Sequence, residues 1–266
     1  LDNFCWPDPV RSETTPDGEL KLAQLVRACR GLYRICRAYG VPLISGKDSM
    51  KNESTMGGVK ICVPPTLLVS AIGQIDDARR ALTLDLKRAA DVLFVLGETG
   101  DHTGGSEYDR DGLTPEPGRP AGYVGRRPPS VEPRRTLPLY RALADAIEAG
   151  LVRSAATPSR GGLAVCLARA AMAGGLGVSV DLGACPGAAD LEPDVALFGE
   201  SNGRFLVSVA AGDEAVFAER FAGLSCAAVG TVTAAPRLLV HTDGETLIDT
   251  DLGSLKRRYK EGLERA

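Results

Sequence analysis

Apolar residues recur along this chain with two periods, and the changes between them mark out its elements. From Leu20, the residues Leu22, Leu25, Val26, Cys29, Leu32, Tyr33 and Cys36 repeat at three and four. That spacing predicts an amphipathic helix lying on a sheet and stopped at Gly40, with Lys21, Arg27, Arg30 and Arg34 on a solvated face. Residues 1–9 read as a strand end broken at Pro7 and Pro9. Residues 41–45 read as a buried strand running directly into a turn at Gly46, Lys47, Asp48 and Ser49. Residues 50–58 are polar and glycine-bearing, and 59–62 and 67–75 read as strands separated by Pro64 and Pro65. A charged stretch over 76–86 is expected to be a hinge, which gives two domains, 1–87 and 88–266.

The second domain opens on a buried strand over 91–97. Residues 109–138, rich in Pro, Gly and Arg, are expected to form a long surface loop. Helices are predicted around Leu139, Tyr140, Leu143 and Ile147, from Leu163 to Met172, over 214–221 and from Leu252. Strands are predicted over 177–182, 204–209 and 227–232, and a hairpin pairs 237–241 with 246–249 across Asp243-Gly244. Residues 197–203 form a turn carrying Glu200, Ser201 and Asn202. Strands and helices mix without strict alternation, so the expected fold class is α+β, in two units.

Composition narrows the function. The chain has 266 residues, 44% of them apolar and 24% charged, which suits globular domains with real cores. A net charge of −3 argues against a nucleic-acid surface, and no apolar run is long enough to cross a bilayer. Seven cysteines without a Cys-x-x-Cys pair, most of them inside apolar runs, suit buried thiols in a reducing cytoplasm better than a disulfide framework. Leu1 is not an initiator methionine, so the chain is expected to begin within a longer polypeptide.

The stretch from Val41 to Ser54 carries the densest chemistry. A strand ending at Gly46 would let backbone approach phosphate oxygens, Lys47 would offset their charge, and Asp48 could take a divalent cation. It is not a Walker A loop, because Val41 stands where the first glycine belongs and Asp48 where Ser or Thr belongs. A plain strand and turn, with Asp48 or Ser49 as a cap, explains the same residues. Two readings are likewise open at Ser159-Arg-Gly-Gly162: an anion site on exposed amides, or glycines that allow close packing against the first strand of the domain.

Four segments together resemble the C-terminal half of phosphoribosylformylglycinamidine synthase, in the AIR synthase-like superfamily. They are Leu1-Asp-Asn-Phe-Cys-Trp-Pro-Asp-Pro9, Ile44-Ser-Gly-Lys-Asp-Ser-Met-Lys-Asn52, Gly104-Gly-Ser-Glu-Tyr108 and Leu197-Phe-Gly-Glu-Ser-Asn-Gly-Arg-Phe205. The resemblance implies the latter part of an N-terminal α/β domain followed by a C-terminal α/β domain. It implies a ligation in which ATP phosphorylates the formyl amide oxygen of formylglycinamide ribonucleotide and ammonia from glutamine displaces the phosphate. It implies ATP and Mg2+ as cofactors, and as partners the N-terminal half of the same enzyme and a glutaminase subunit. By motif, Asp2, Gly46 and Lys47 would contact ATP, Ser49 would contact substrate, and Asp48 would neighbour the metal.

The sequence departs from the pattern twice. Lys47 stands where some relatives place a metal-binding asparagine, and an ammonium cannot ligate magnesium. Thr157 and Arg160 replace both carboxylates of an Asp-x-Ser-Asp-Gly-Gly motif that helps hold a structural magnesium-nucleotide, so none is expected here. Neither His102 nor His241 matches a catalytic motif, no general base is assigned, and the chain alone is expected to be inactive. A selenophosphate synthetase is disfavoured because no catalytic Cys or Sec loop precedes the helix. The rival from another class is a catalytically silent scaffold that packs on an active half and docks a glutaminase.

Overall fold

The computed structural model describes residues 1–110 and 127–262, with the backbone alone at Arg110. The chain divides into two units, Leu1–Asp76 and Asp77–Ala266.

The first unit contains β1 (Asp2–Cys5), α1 (Gly18–Tyr39), β2 (Gly46–Ser49), β3 (Glu53–Met56), β4 (Val59–Cys62) and β5 (Thr66–Val69). β1 is the centre of a three-stranded sheet, parallel to β2 and antiparallel to β5. β3 and β4 form a separate hairpin across Gly57-Gly58. Helix α1 ends at Gly40 as its spacing predicted. It buries a stripe displaced from the one expected: Leu25, Leu32 and Cys36 are shared with it, and Ala28 and Ile35 join them in packing on Phe4, Trp6 and Leu67. Lys21 is buried, whereas Leu22, Val26 and Tyr33 face outward. The Trp6 indole N–H fixes this packing by donating to the Lys21 carbonyl at 2.9 Å.

The strand expected over 41–45 is not formed, and Ile44 is 79% exposed. Pro42 has no N–H to give a ladder. The strand is instead the segment read as a turn, Gly46–Ser49, which pairs with β1 in the register Asp2 to Gly46 and Cys5 to Ser49. The strand expected over 67–75 is confined to Thr66–Val69, and Ile72 is 94% exposed.

The second unit continues with β6 (Val92–Leu96), α2 (Glu107–Arg110), α3 (Pro133–Glu148), β7 (Val152–Ala156), α4 (Gly162–Gly174), β8 (Gly177–Asp181), α5 (Pro193–Phe198), β9 (Phe205–Val209), α6 (Glu214–Arg220), β10 (Cys226–Thr233), β11 (Arg237–Thr242), β12 (Glu245–Asp251) and α7 (Leu252–Glu261). Its seven-stranded sheet has the order β12-β11-β8-β10-β6-β9-β7 and is antiparallel except where β11 meets β8. β6 shows why the sheet is covered on both faces. Leu93 and Val95 pack with Leu163, Leu167 and Ala171 of α4, whereas Phe94 and Leu96 pack with Leu139 and Leu143 of α3 and Phe217 of α6. An unbroken apolar strand is what two apolar faces require.

The expected hinge over 76–86 is in part core. Leu86 is 3% exposed, its N–H donates to the Ala170 carbonyl, and Leu84 packs beside it. The loop expected over 109–138 is shorter at its C-terminal end, because α3 starts with Pro133 in its first turn and holds Pro138 within it. The middle of that expected loop lies outside the described residues. Among the described residues, no helix is long and apolar enough to cross a membrane.

Candidate functional site

The residues singled out near the start of the chain meet on β1 and β2, but not on one face. Side chains alternate along a strand, and paired residues of parallel strands share a face. The register therefore puts Asp2, Gly46 and Asp48 with buried Phe4 on the α1 side, and Lys47 and Ser49 with Asn3 and Cys5 on the other. On the first face the Gly46 backbone lies so close to Asp2 that a Cβ would stand 2.8 Å from Asp2 Oδ1. On the second the Lys47 ammonium donates a hydrogen bond to the Ser49 hydroxyl, so a cation and a hydroxyl are presented together.

Asp2 and Asp48 line an open groove of about 810 Å³ between the sheet and the C-terminal half of α1. Its other walls include Leu32, Tyr33, Cys36, Arg37 and the 40–43 connection. Neither carboxylate has an ion-pair or hydrogen-bond partner among the described residues. Two unpaired carboxylates fit the one or two that Mg2+ takes when phosphates and water complete its shell. Among the described residues, no three His, Cys, Asp or Glu side chains form a metal cage.

Beside this sheet, Glu53 gathers its own charges. Its carboxylate accepts from Lys60 Nζ at 2.6 Å and from the Asp8 N–H at 3.0 Å, which hold its pKa down at about 2.

In the second unit, the two glycine-bearing segments of the sequence assemble into one network. Glu200 Oε1 accepts the N–H of Gly161 at 2.9 Å and of Glu107 at 3.0 Å, bridging the starts of α4 and α2. Arg160 closes on Glu107 at 2.7 Å. The first amide before α4 is thus taken by the protein's own carboxylate, which leaves the packing reading of Gly161-Gly162. Gly162 confirms that reading, since a Cβ there would meet the carbonyl oxygen of Leu197 at 2.6 Å and of Gly199 at 2.8 Å. Its partner is the end of α5, not the first strand of the domain.

Ser201 Oγ accepts from the Gly100 N–H at 3.0 Å and pairs with His102 Nδ1 at 2.9 Å. Arg204 is fully buried and gives its guanidinium to Gly199 O at 2.6 Å, Thr99 Oγ1 at 3.1 Å and Ser201 O at 3.2 Å. With no carboxylate against it among the described residues, burial lowers its pKa to about 10. Burial, and then the Arg204 charge, lower the His102 pKa. A cavity of about 380 Å³ lies beside His102 and Asn202, and two of its lining charges, Glu98 and Arg135, neutralise each other at 2.8 Å.

Sequence reasoning assigns no role to Glu200, Ser201 or Arg204 within residues 197–205. The signal that could have found them is an arginine directly before the apolar run Phe205–Val209, a cation that had to be buried at the mouth of a core strand.

Residues 88–243 match the family model described as AIR synthase related protein, C-terminal domain. The curated relatives include the phosphoribosylformylglycinamidine synthase subunit PurL of Moorella thermoacetica, 33% identical over 242 residues, which cover 90% of this chain and 31% of the relative. The same subunit of Deinococcus radiodurans is 33% identical over 273 residues, covering 99% and 34%. The chain spans about a third of the length of the curated relatives it matches. Among solved structures, Thermotoga maritima PurL complexed with ATP overlays with a TM-score of 0.63 at 18% identity, covering 96% of this chain and 37% of that one. The HypE–HypF complex overlays with a TM-score of 0.59 at 15% identity, covering 94% and 76%. The expected fold class, α+β and AIR synthase-like, is therefore the observed one. With more than half its length matched by one family model, the chain belongs to the AIR synthase related protein family.

Proposed function

We propose that this chain forms the C-terminal part of the ATP-dependent ligase that converts formylglycinamide ribonucleotide and ammonia to formylglycinamidine ribonucleotide. The observation that carries the reading is that relatives aligned over nine tenths or more of the chain share this one activity name. A PurL structure in complex with the substrate, FGAR, has the same fold at 17% identity and a TM-score of 0.65. The domain reading over 1–87 and 88–266 goes with it, residues 1–87 being the latter part of an N-terminal domain, although Leu84 and Leu86 pack in the core of the second unit, which begins at Asp77.

The site chemistry supports the reading. Phosphoryl transfer to an amide oxygen asks mainly for positioned phosphates, neutralised oxyanions and a metal. Asp2 and Gly46 would contact ATP on the α1 face of the sheet, and Asp48 would offer a carboxylate to Mg2+. Lys47 would neutralise phosphate and Ser49 would contact substrate on the opposite face. β2 is the edge of its three-stranded sheet, so a ligand touching Asp2 and Lys47 together would cross that edge at Gly46. Mg2+, when bound, would draw charge from the transferring phosphate; the chain's own groups orient and neutralise. The N-terminal half of the same enzyme and a glutaminase subunit are the partners this reading requires. A relative solved as the Thermotoga maritima PurLQS assembly supports the existence of partner subunits. A reducing cytoplasm suits the seven cysteines, all of them free, although only Cys166 and Cys185 are buried as expected and Cys29 and Cys62 are exposed.

The test is Lys47→Ala and Ser49→Ala in the complete synthetase, assayed for ATP-dependent product formation with free ammonia. The reading expects kcat/KM to fall at least tenfold with folding intact, while unchanged turnover would mean a silent scaffold.

A further inference from the structure

His102 is held through one ring nitrogen and offers the other to a cavity. On its inner side, Ser201 Oγ lies 2.9 Å from His102 Nδ1, accepts the Gly100 N–H at 3.0 Å and donates to the Gly100 carbonyl at 3.3 Å. A hydroxyl has one proton, and this one goes to Gly100, so Ser201 accepts from the ring. The ring proton is therefore on Nδ1 and the lone pair on Nε2. That lone pair faces Ser130 Oγ at 3.5 Å, a long contact of the kind that tightens when substrate binds. Burial, and then the Arg204 charge, favour the neutral imidazole, the form that takes a proton. A hydroxyl, an imidazole and a fixed acceptor behind it, in that order, are what activates a serine.

The surroundings suit the same chemistry. Ser130 and His102 both line the cavity of about 380 Å³ beside the end of β6. The first amides of α3 are taken by Glu132, so donors to an oxyanion must come from side chains. Asn202 and Arg134 line the cavity, and neither side chain has a hydrogen-bond partner among the described residues. Leu139 and Leu224 supply apolar lining, and Glu98 cancels Arg135, which fits a short uncharged acyl group.

We propose that Ser130, with His102 as its base and Ser201 as the residue that positions the ring, is a nucleophile for acyl transfer from small carboxylic esters. The inference rests on the second unit alone. Ser130 Oγ adds to the ester carbonyl carbon while His102 Nε2 takes its proton. The bond to the leaving alcohol then breaks, and Nε2 returns the proton to that oxygen. Water repeats both steps on the acyl-serine, releasing the acid and restoring Ser130.

The experiment treats the complete protein with p-nitrophenyl acetate. A burst of one p-nitrophenolate per chain is expected, with the acetyl group mapped to Ser130 by mass spectrometry. Ser130 is exposed, so Ser130→Ala leaves the packing in place and should abolish the burst. His102→Gln should slow it about a hundredfold or more. Ser201→Ala should slow it about tenfold with the burst amplitude unchanged, since the ring loses one hydrogen bond; a merely structural role would lower the amplitude instead. No burst from the natural protein, acetyl found on lysine or cysteine but not on Ser130, or a full-rate burst in Ser130→Ala or His102→Gln would overturn the proposal. A full-rate burst or a lowered amplitude in Ser201→Ala would overturn the role given to Ser201.

Discussion

Substituting Gly46 by Ala tests whether Asp2 is held by the neighbouring strand. The added Cβ would stand 2.8 Å from Asp2 Oδ1 and 3.3 Å from its Cγ, and both are closer than an ordinary contact. Gly46 does not adopt the left-handed conformation, so alanine suits its backbone and by itself stabilises by about 0.4–1 kcal/mol through the unfolded state. Against that, the Asp2 carboxylate must leave its rotamer, which costs about 0.5–1.5 kcal/mol. In the natural protein the two terms nearly cancel. In an Asp2→Ala background the clash is gone and Gly46→Ala should stabilise by the full entropic amount. The expected coupling between the two sites is therefore about 1 kcal/mol. Trp6, the one tryptophan in the chain, is buried in the same unit and reports its unfolding in urea by fluorescence. Additive effects, with coupling below about 0.3 kcal/mol, would refute the close approach of β1 and β2. The same substitution moves the carboxylate in the groove, so KM for ATP should rise even where stability does not change.

Other outcomes follow from the second unit and from Glu53. Gly162→Ala puts a side chain into the α5 carbonyls at a positive φ of 65 degrees, and thermal unfolding should show a loss of about 2 kcal/mol or more. Arg204→Met leaves the Gly199 and Ser201 carbonyls without their donor and should cost about 2–5 kcal/mol; Arg204→Lys should rescue little, since an ammonium cannot span three acceptors in two loops. Glu53 has its pKa held at about 2 against an ordinary 4.5, so its contribution is complete above pH 4.5 and lost as pH falls toward 2. Glu53→Gln should flatten the Trp6-monitored acid transition in that window, and an unchanged profile would count against the Lys60 and Asp8 contacts. No nucleotide should co-purify beside Ser159, where Glu200 already occupies the Gly161 amide.

Much of this architecture was legible because its elements bury apolar surface with a clear period. β6 is five apolar residues, α4 repeats Leu163, Leu167 and Ala171 on one side, and Asp243-Gly244 marks its hairpin. The misreadings are elements whose stability comes from pairing instead of burial. Gly46–Ser49 and Glu53–Met56 carry almost no apolar alternation, and each is held by a single neighbouring strand in its sheet. Pro133 and Pro138 read as loop residues, although one of them suits the first turn of α3. The error at β2 had a consequence for the site. As a turn, Lys47, Asp48 and Ser49 face one ligand together; as a strand they alternate, and Lys47 and Ser49 part from Asp2 and Asp48. The α1 stripe was displaced for a related reason. Spacing alone cannot separate the apolar side that packs on Phe4 from a second apolar side that carries Tyr33.

The most direct test of an ATP contact in this chain is photolabelling of the complete synthetase with 8-azido-ATP, followed by peptide mapping. Label that falls on residues 29–48 and is displaced by ATP is the predicted result. Label that is displaced by ATP but lies entirely outside this chain would contradict the account.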